Sequence, residues 1–416
     1  MTKETPKITT LDNGLRIIAE DIPFVRSVSF GIWVKNGSRN EDSTTNGISH
    51  FIEHMLFKGT QKRSAKDIAD EMDEIGGQLN AYTAKEYTCY YTRTLDSHFD
   101  IALDVLSDMF FNSKFDSNDI QKESNVILEE ISMYEDTPED LVHDLLQGAV
   151  YKNGSLGMSI LGTQESIKSF DHKTFKEYMS HHYTPQNTII AVAGNLKNCD
   201  ALAKIKKAFS GFTAPPKDMQ SSVQKYLPTF IQKEKDIEQV HLCIGFPGII
   251  SSSPELYTMA AINTMFGGGM SSRLFQKIRE EHGLAYSVYS YHSGFIDTGL
   301  FAVYAALSPA QTGDVMGLIL EEVRRMFTEK IDKTQLSKIK EQLKSTYILG
   351  LESVDNRMTS IGRNLLMLER VTTADELISK IDAIDLDGFY NLCEKVFRVE
   401  QMSVAVVGNG DFEGLV

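Results

Sequence analysis

The sequence predicts an α+β fold made of two structurally repeated domains, each a mostly antiparallel sheet covered by helices. Three observations carry this. A chain of 416 residues exceeds what one ordinary hydrophobic core serves, so length alone points to two domains of roughly 200 residues each. Segment 189–196, IIAVAGNL, matches segment 403–410, SVAVVGNG: in both a short apolar strand runs into Gly-Asn, at an offset of 214 residues. At the same offset Ser29 to Ile32 (SFGI) falls on Cys243 to Phe246 (CIGF), again within a strand-like run.

Each half then reads alike: early strands, helices, a hairpin-like pair of strands, further helices, and a final strand before a short helix. That alternation belongs to an α+β domain. Between the halves lies GFTAPPKDMQSSVQKYLPTFIQKEKDIE (211–238), in which Pro215, Pro216 and Pro228 with neighbouring charges interrupt both periodicities. The predicted organisation is an N-terminal domain over 1–212, a linker over 213–238 and a C-terminal repeat domain over 239–416.

The composition, 42% hydrophobic and 24% charged, is that of an ordinary globular protein. Lys and Arg total 42 against 57 Asp and Glu, a formal charge of -15. Such a field repels nucleic acid and anionic membrane surfaces, so neither is expected as a partner. Cys89, Cys199, Cys243 and Cys393 are scattered without a CxxC pair, the pattern of reduced structural thiols. The opening MTKETPKITTLDNG has no apolar run able to act as a signal peptide, and no apolar stretch of about 18 residues follows. The expected location is the cytoplasm.

The chemistry concentrates in Asn46 to Thr60, NGISHFIEHMLFKGT, which reads as a helix with Ile48, Phe51, Ile52, Leu56 and Phe57 as apolar positions and a glycine stop. Positions i, i+3 and i+4 share one helix side, so His50, Glu53 and His54 project together. Two imidazoles one turn apart can grip one ion while the carboxylate stands beside its open position, the arrangement of a catalytic zinc site. Such a constellation arises by chance roughly 0.02 times in a chain of this His content.

A third ligand is needed, and segment 117–134, SNDIQKESNVILEEISMY, offers it. It reads as a helix with Ser117, Asn118 and Asp119 as candidate caps. Ile120, Glu123, Ile127, Glu130 and Tyr134 form one stripe on it. A carboxylate in an apolar stripe is costly unless it meets a cation, which singles out Glu130 and Glu123. Glu129 falls about 100° away on the wet face.

His-x-x-Glu-His is the known signature of inverted-motif zinc peptidases. GISHFIEHMLFKGT, ESNVILEEISMYEDTP and, in the second half, RLFQKIREEHGLAYSV together resemble the pitrilysin and insulin-degrading-enzyme family over nearly the whole chain. In length the chain is similar to the short members, akin to bacterial processing proteases and the catalytic subunit of mitochondrial processing peptidase. The resemblance implies His50, His54 and Glu130 as zinc ligands, Glu53 as the base and Glu123 as support for a ligand. It further implies Arg279 and Tyr286 as a pair that binds substrate and steadies the transition state. On the residues alone these two read as a helix-end Arg and a core strand Tyr.

Gly76 to Thr83, GGQLNAYT, reads as a helix stop followed by a strand. The resemblance makes it an edge strand on which an extended substrate lies, with Asn80 and Ala81 in contact. Gly267, Gly268 and Gly269 read as a helix C-cap and turn. At offset 214 the motif falls on Thr264 to Gly268, TMFGG, which has no ligand, so one zinc per chain is expected.

The predicted function is a zinc metalloendopeptidase that cleaves peptides or unfolded segments in an enclosed chamber. It is set against a non-catalytic scaffold of the same family and a zinc hydrolase of another bond. In the double-length relatives the zinc motif lies in the first half and the Arg/Tyr pair in the second, which implies a homodimer with active sites completed across the interface.

Overall fold

The computed structural model describes residues 5–214, 222–412 and 414. Its strands are β1 (Lys7–Thr10), β2 (Arg16–Asp21), β3 (Ser27–Val34), β4 (Gln78–Thr83), β5 (Thr88–Leu95), β6 (Thr188–Gly194), β7 (Phe230–Lys233), β8 (Val240–Pro247), β9 (Ala285–Gly294), β10 (Gly299–Leu307) and β11 (Ser403–Val407). They form one sheet of order β1-β2-β6-β3-β5-β4 and another of order β7-β11-β8-β10-β9. The β2/β6 and β7/β11 pairs run parallel and the other neighbours antiparallel.

Exchanging β2, β6, β3, β5 and β4 for β7, β11, β8, β10 and β9 converts the first order into the second. The repeated α+β architecture predicted from the sequence is therefore present strand by strand, with β1 added at one edge. The open edge beyond β5 in the first sheet and beyond β10 in the second falls to β4 and β9. β4 is thus an edge strand.

On one face of the first sheet, helices Ile48–Leu56, Phe99–Asn112, Ser117–Glu135, His172–His182 and Ala201–Phe209 bury Phe51, Ile52, Leu106, Ile127, Phe175 and Phe209 against Phe30, Ile32 and Val192. On the second sheet, Leu256–Phe266, Thr312–Thr328 and Leu386–Val396 do the same against Leu242, Ile244 and Val303.

The chain folds as two compact units, and they are not its consecutive halves. The first comprises Met1–Ile131, Met158–Ser221 and Leu349–Thr373; the second comprises Ser132–Gly157, Ser222–Ile348 and Ala374–Val416. The boundaries read from sequence, 1–212 and 239–416, differ because each sheet has a second apolar face. Val354–Leu368 covers that face of the first sheet, seating Met358, Ile361 and Leu365 on Ile18, Trp33, Ile189 and Ala191. Pro138–Val150 covers that of the second, with Leu141, Val142 and Leu146 on Cys243, Ala302 and Ala405. Strands wrapped on both faces read as continuous apolar runs, as IIAVAG and LFAVYAAL do.

The linker over 213–238 also needs correction, since Phe230–Lys233 forms β7, parallel to β11. Every residue of β7 is half-buried, so the alternation that marks a strand is missing. Pro215 and Pro216 of that linker lie outside the described residues.

Glycines set how closely Val354–Leu368 lies on its sheet. A Cβ on Gly362 would sit 2.5 Å from Trp33 Nε1, and one on Gly31 would sit 2.7 Å from Met358 Sδ. Trp33 Nε1 donates to Met358 Sδ at 3.4 Å between them. Gly362→Ala should therefore lower stability by about 1–3 kcal/mol through overpacking. Gly313→Ala, in a helix with nothing near the added methyl, should raise it by about 0.5–1 kcal/mol. Urea unfolding midpoints at constant slope check both.

Candidate metal centre

Helix Ile48–Leu56 begins after Gly47, whose φ of 91° requires glycine. A Cβ there would also lie 2.7 Å from Gly162 Cα. The free N–H groups of the first turn meet a side chain that the sequence reading missed. Glu41, 5% exposed, accepts from Gly47 N at 2.7 Å and Asn46 Nδ2 at 3.1 Å on Oε2, and from Ser49 N at 2.9 Å on Oε1. Burial pushes its carboxyl pKa up, against the pull of these hydrogen bonds. The only local sequence signal is an acidic pair, Glu41 and Asp42, shortly before the glycine.

With Ile48, Phe51, Ile52, Met55 and Leu56 in the core, the helix turns His50, Glu53 and His54 to its other side. His50 Nε2 and His54 Nε2 are 3.3 Å apart. Glu130 Oε1 is 3.8 Å from the first, and its Oε2 is 3.6 Å from the second. Ligands held about 2.0–2.2 Å from a tetrahedral zinc stand roughly 3.3 Å from one another. The three therefore surround a point at nearly the separation zinc requires. Among the described residues they form the one group of His, Cys, Asp and Glu able to hold a metal ion, and Glu53 is not part of it.

The protonation states fit a metal. Burial, and then the neighbouring His54, lower the His50 pKa to about 3, so its ring is neutral with a lone pair to give. His54 donates from Nδ1 to Glu123 Oε1 at 2.9 Å, which leaves Nε2 as the acceptor facing Glu130. Burial opposes ionisation of Glu123, but hydrogen bonds from His54 and Lys58 outweigh it and hold its pKa below the ordinary value. Lys58, 2.7 Å from Glu123 Oε2, was not singled out in the sequence. Its signal was the i+4 spacing from His54.

Helix Ser117–Glu135 carries Glu123 and Glu130 as the stripe predicts, with Glu129 exposed. Its cap is one residue earlier than expected: Asp116 Oδ1, and not Ser117, Asn118 or Asp119, accepts from the Asn118 N–H at 2.9 Å. Glu53 stands beside the three ligands. Its Oε2 accepts from Thr83 Oγ1 at 2.5 Å, and burial pushes its pKa up despite that bond.

Asn80 and Ala81 lie on β4. The Ala84 N–H donates to Tyr87 O at 2.8 Å at the hairpin end, so antiparallel alternation directs the backbone groups of Leu79, Ala81 and Thr83 to the open edge. The Asn80 side chain accepts from Ala81 N through Oδ1 at 2.8 Å.

In the second unit Arg279 and Tyr286 meet. Arg279 lies in the π-helical turn Phe275–Glu281, a rare geometry frequent at functional sites. Its Nη1 donates to Tyr286 O at 2.9 Å, and its guanidinium lies 4.6 Å from the Tyr286 ring and 4.8 Å from that of Phe275. Tyr286 falls where the β9/β10 register slips, between Ala285 and Ser287, and is 78% exposed. The core-strand reading of Tyr286 is thus overturned by a bulge that turns the ring outward. The N–H groups of Gly267 and Gly268 both donate to Asn263 O, at 3.0 and 2.8 Å, closing a helix as the C-cap reading expects.

Glu123→Gln should weaken zinc binding about 10–100-fold, and His50→Ala should abolish it. Glu129→Gln should leave it unchanged. Competition with a chromogenic chelator measures all three.

The chain is similar to known proteins along nearly its whole length. The family description "Insulinase (Peptidase family M16)" matches residues 16–164, and "Peptidase M16 inactive domain" matches 169–343. An uncharacterized zinc protease of Bacillus subtilis is 44% identical over 398 residues, covering 96% of this chain and 97% of its own. Another from Streptomyces coelicolor is 38% identical over 417 residues, covering 97% and 90%. A protease from Helicobacter pylori has the same fold, with a TM-score of 0.91 at 20% identity over 97% of this chain and 99% of its own. Matched at this identity along nearly its whole length, the chain belongs to peptidase family M16, the insulinase family, as one of its short members.

Proposed function

We propose that the chain is a zinc metalloendopeptidase acting on peptides or unfolded segments held in an enclosed chamber. The observation that carries this is a carboxylate, Glu53, fixed beside three converging ligand atoms without being one of them. His50, His54 and Glu130 would hold one zinc per chain; the names of the zinc-protease relatives support the choice of metal. When bound, zinc polarises a carbonyl and brings the pKa of water toward neutrality.

The chain's own groups do the rest. Glu53 accepts the proton that water gives up on attacking the peptide carbon, and returns it to the leaving amine nitrogen. Its half-buried position supports this role, because a base with a raised pKa holds the proton long enough to pass it on. Glu123, tied to Lys58, keeps the His54 ring turned so that Nε2 faces the ligand point. The open edge of β4 would align an extended substrate through the backbone of Ala81, with Asn80 Oδ1 yielding the N–H it now occupies. Arg279 and Tyr286 would donate hydrogen bonds to substrate or to the oxygen that gains charge.

We propose further that two copies pair, with Arg279 and Tyr286 of one completing the site of the other, and that the enzyme works in the cytoplasm. Four buried free cysteines suit a reducing compartment. Among the described residues no helix is long and apolar enough to cross a membrane.

Glu53→Gln should keep its fold and zinc and lose about 10²–10⁴ in turnover of a quenched peptide library. A fully metallated Glu53→Gln chain that still turns over would remove the base assignment.

Complementation tests the pairing. When Glu53→Gln and Tyr286→Phe chains are mixed and exchanged, shared sites should restore about a quarter of wild-type activity, since half the dimers are mixed and each carries one intact site. No recovery would refute sharing.

A further inference from the structure

Thr83 ends β4 with its hydroxyl 2.5 Å from Glu53 Oε2. Its direction follows from the pleat. Leu79 and Ala81 pack into the core that holds Phe51 and Ile52, whereas Tyr82 stands on the opposite face with Trp33. Thr83 is next in the series facing the motif helix.

The hairpin that carries it is firmly held. Glu86 in the turn pairs with Arg39 at 2.6 Å, both buried. Lys85 Nζ donates to Met158 O at 2.5 Å. Backbone at Gly37 presses so closely that a Cβ there would lie 2.1 Å from Ala84 O. The other hydroxyls beneath the motif helix are already engaged: Tyr90 and Tyr183 bond each other at 2.8 Å, and Tyr178 donates to Asn36 Oδ1 at 3.2 Å. Among the described residues, Glu53 Oε1 has no hydrogen-bond partner.

A glutamate side chain has three rotatable bonds, and its two oxygens are chemically alike. Unrestrained, the carboxylate of Glu53 could swing toward the ligand point, one helical turn away, and become a fourth ligand itself. We infer that Thr83 is a positioning residue for Glu53, its hydroxyl fixing Oε2 so that Oε1 is the oxygen that exchanges the proton. Thr83 keeps its own proton throughout: the proton passes from water to Oε1 and from Oε1 to the amine. A neutral hydroxyl restrains the carboxylate without neutralising it, which a lysine at the same place would not do. This inference rests on the reading of Glu53 as the base.

The test compares Thr83→Val, nearly the same shape without the donor, with Thr83→Ser, which retains it. In Thr83→Val, kcat should fall about 10–100-fold, the cost of a misplaced catalytic group, while KM stays unchanged. Zinc affinity by chelator competition should be no weaker than the parent's, and tighter if Glu53 reaches the metal. Thr83→Ser should restore most of kcat. In a Glu53→Gln background Thr83→Val should cost almost nothing, because groups that act as a unit are non-additive. If Thr83→Val lowers the melting temperature, Thr83→Ala against Thr83→Ser isolates the hydroxyl among smaller side chains. A parent chain without turnover refutes the peptidase reading. An active parent whose Thr83→Val variant keeps its kcat, or loses zinc affinity and kcat together, refutes the positioning role alone.

Discussion

Nine residues make a helix too short to hold its shape alone, and the first turn of Ile48–Leu56 points its free N–H groups into a dry interior. The carboxylate of Glu41 takes up two backbone N–H groups at this start, from Gly47 and Ser49. Everything at the centre depends on that contact, because it fixes where the helix begins and so which residues face the core. A slip of one position would rotate the motif by about 100°, carrying His50 and His54 away from Glu130. The cap is itself a buried acid, whose oriented N–H donors offset part of the cost of burial while its pKa stays raised.

The same rule of matched charge orders the other acids. Glu123 is buried and answered by His54 and Lys58. Glu130, with 41% of its side chain exposed, retains water and needs no permanent partner. Glu53 lies between these cases, with one neutral donor on one oxygen. Burial and the donors that answer each carboxylate together distinguish the four glutamates, in keeping with the structural, ligating and proton-transferring roles proposed for them.

The candidate site was legible in the sequence because His50, Glu53 and His54 lie within one turn and Glu130 interrupts an apolar stripe, both local patterns. The repeat was legible because β6 and β11 each kept Gly-Asn after an apolar run. Glu41 and Thr83 were not, since one acts through a loop closure and the other through the distance between a strand and a helix. Periodicity likewise shows that Pro138–Val150 and Val354–Leu368 have apolar faces, but not which sheet each covers. The bulge at Tyr286 was hidden too, because register depends on a partner strand that local sequence does not specify. In each repeat the open-edge strand carries a residue proposed to act in the chemistry, Thr83 on β4 and Tyr286 on β9, while Thr264 to Gly268 form a helix end.

The helix Val354–Leu368 has a consequence for biosynthesis. All strands of the first sheet are complete once Gly194 is made, yet the face holding Trp33, Ile189 and Ala191 lacks its cover until Leu368 is also made. At about 5–20 residues per second, the nascent chain carries that bare apolar face for roughly ten seconds or more. The interval is one in which a chaperone or a neighbouring nascent chain can reach it.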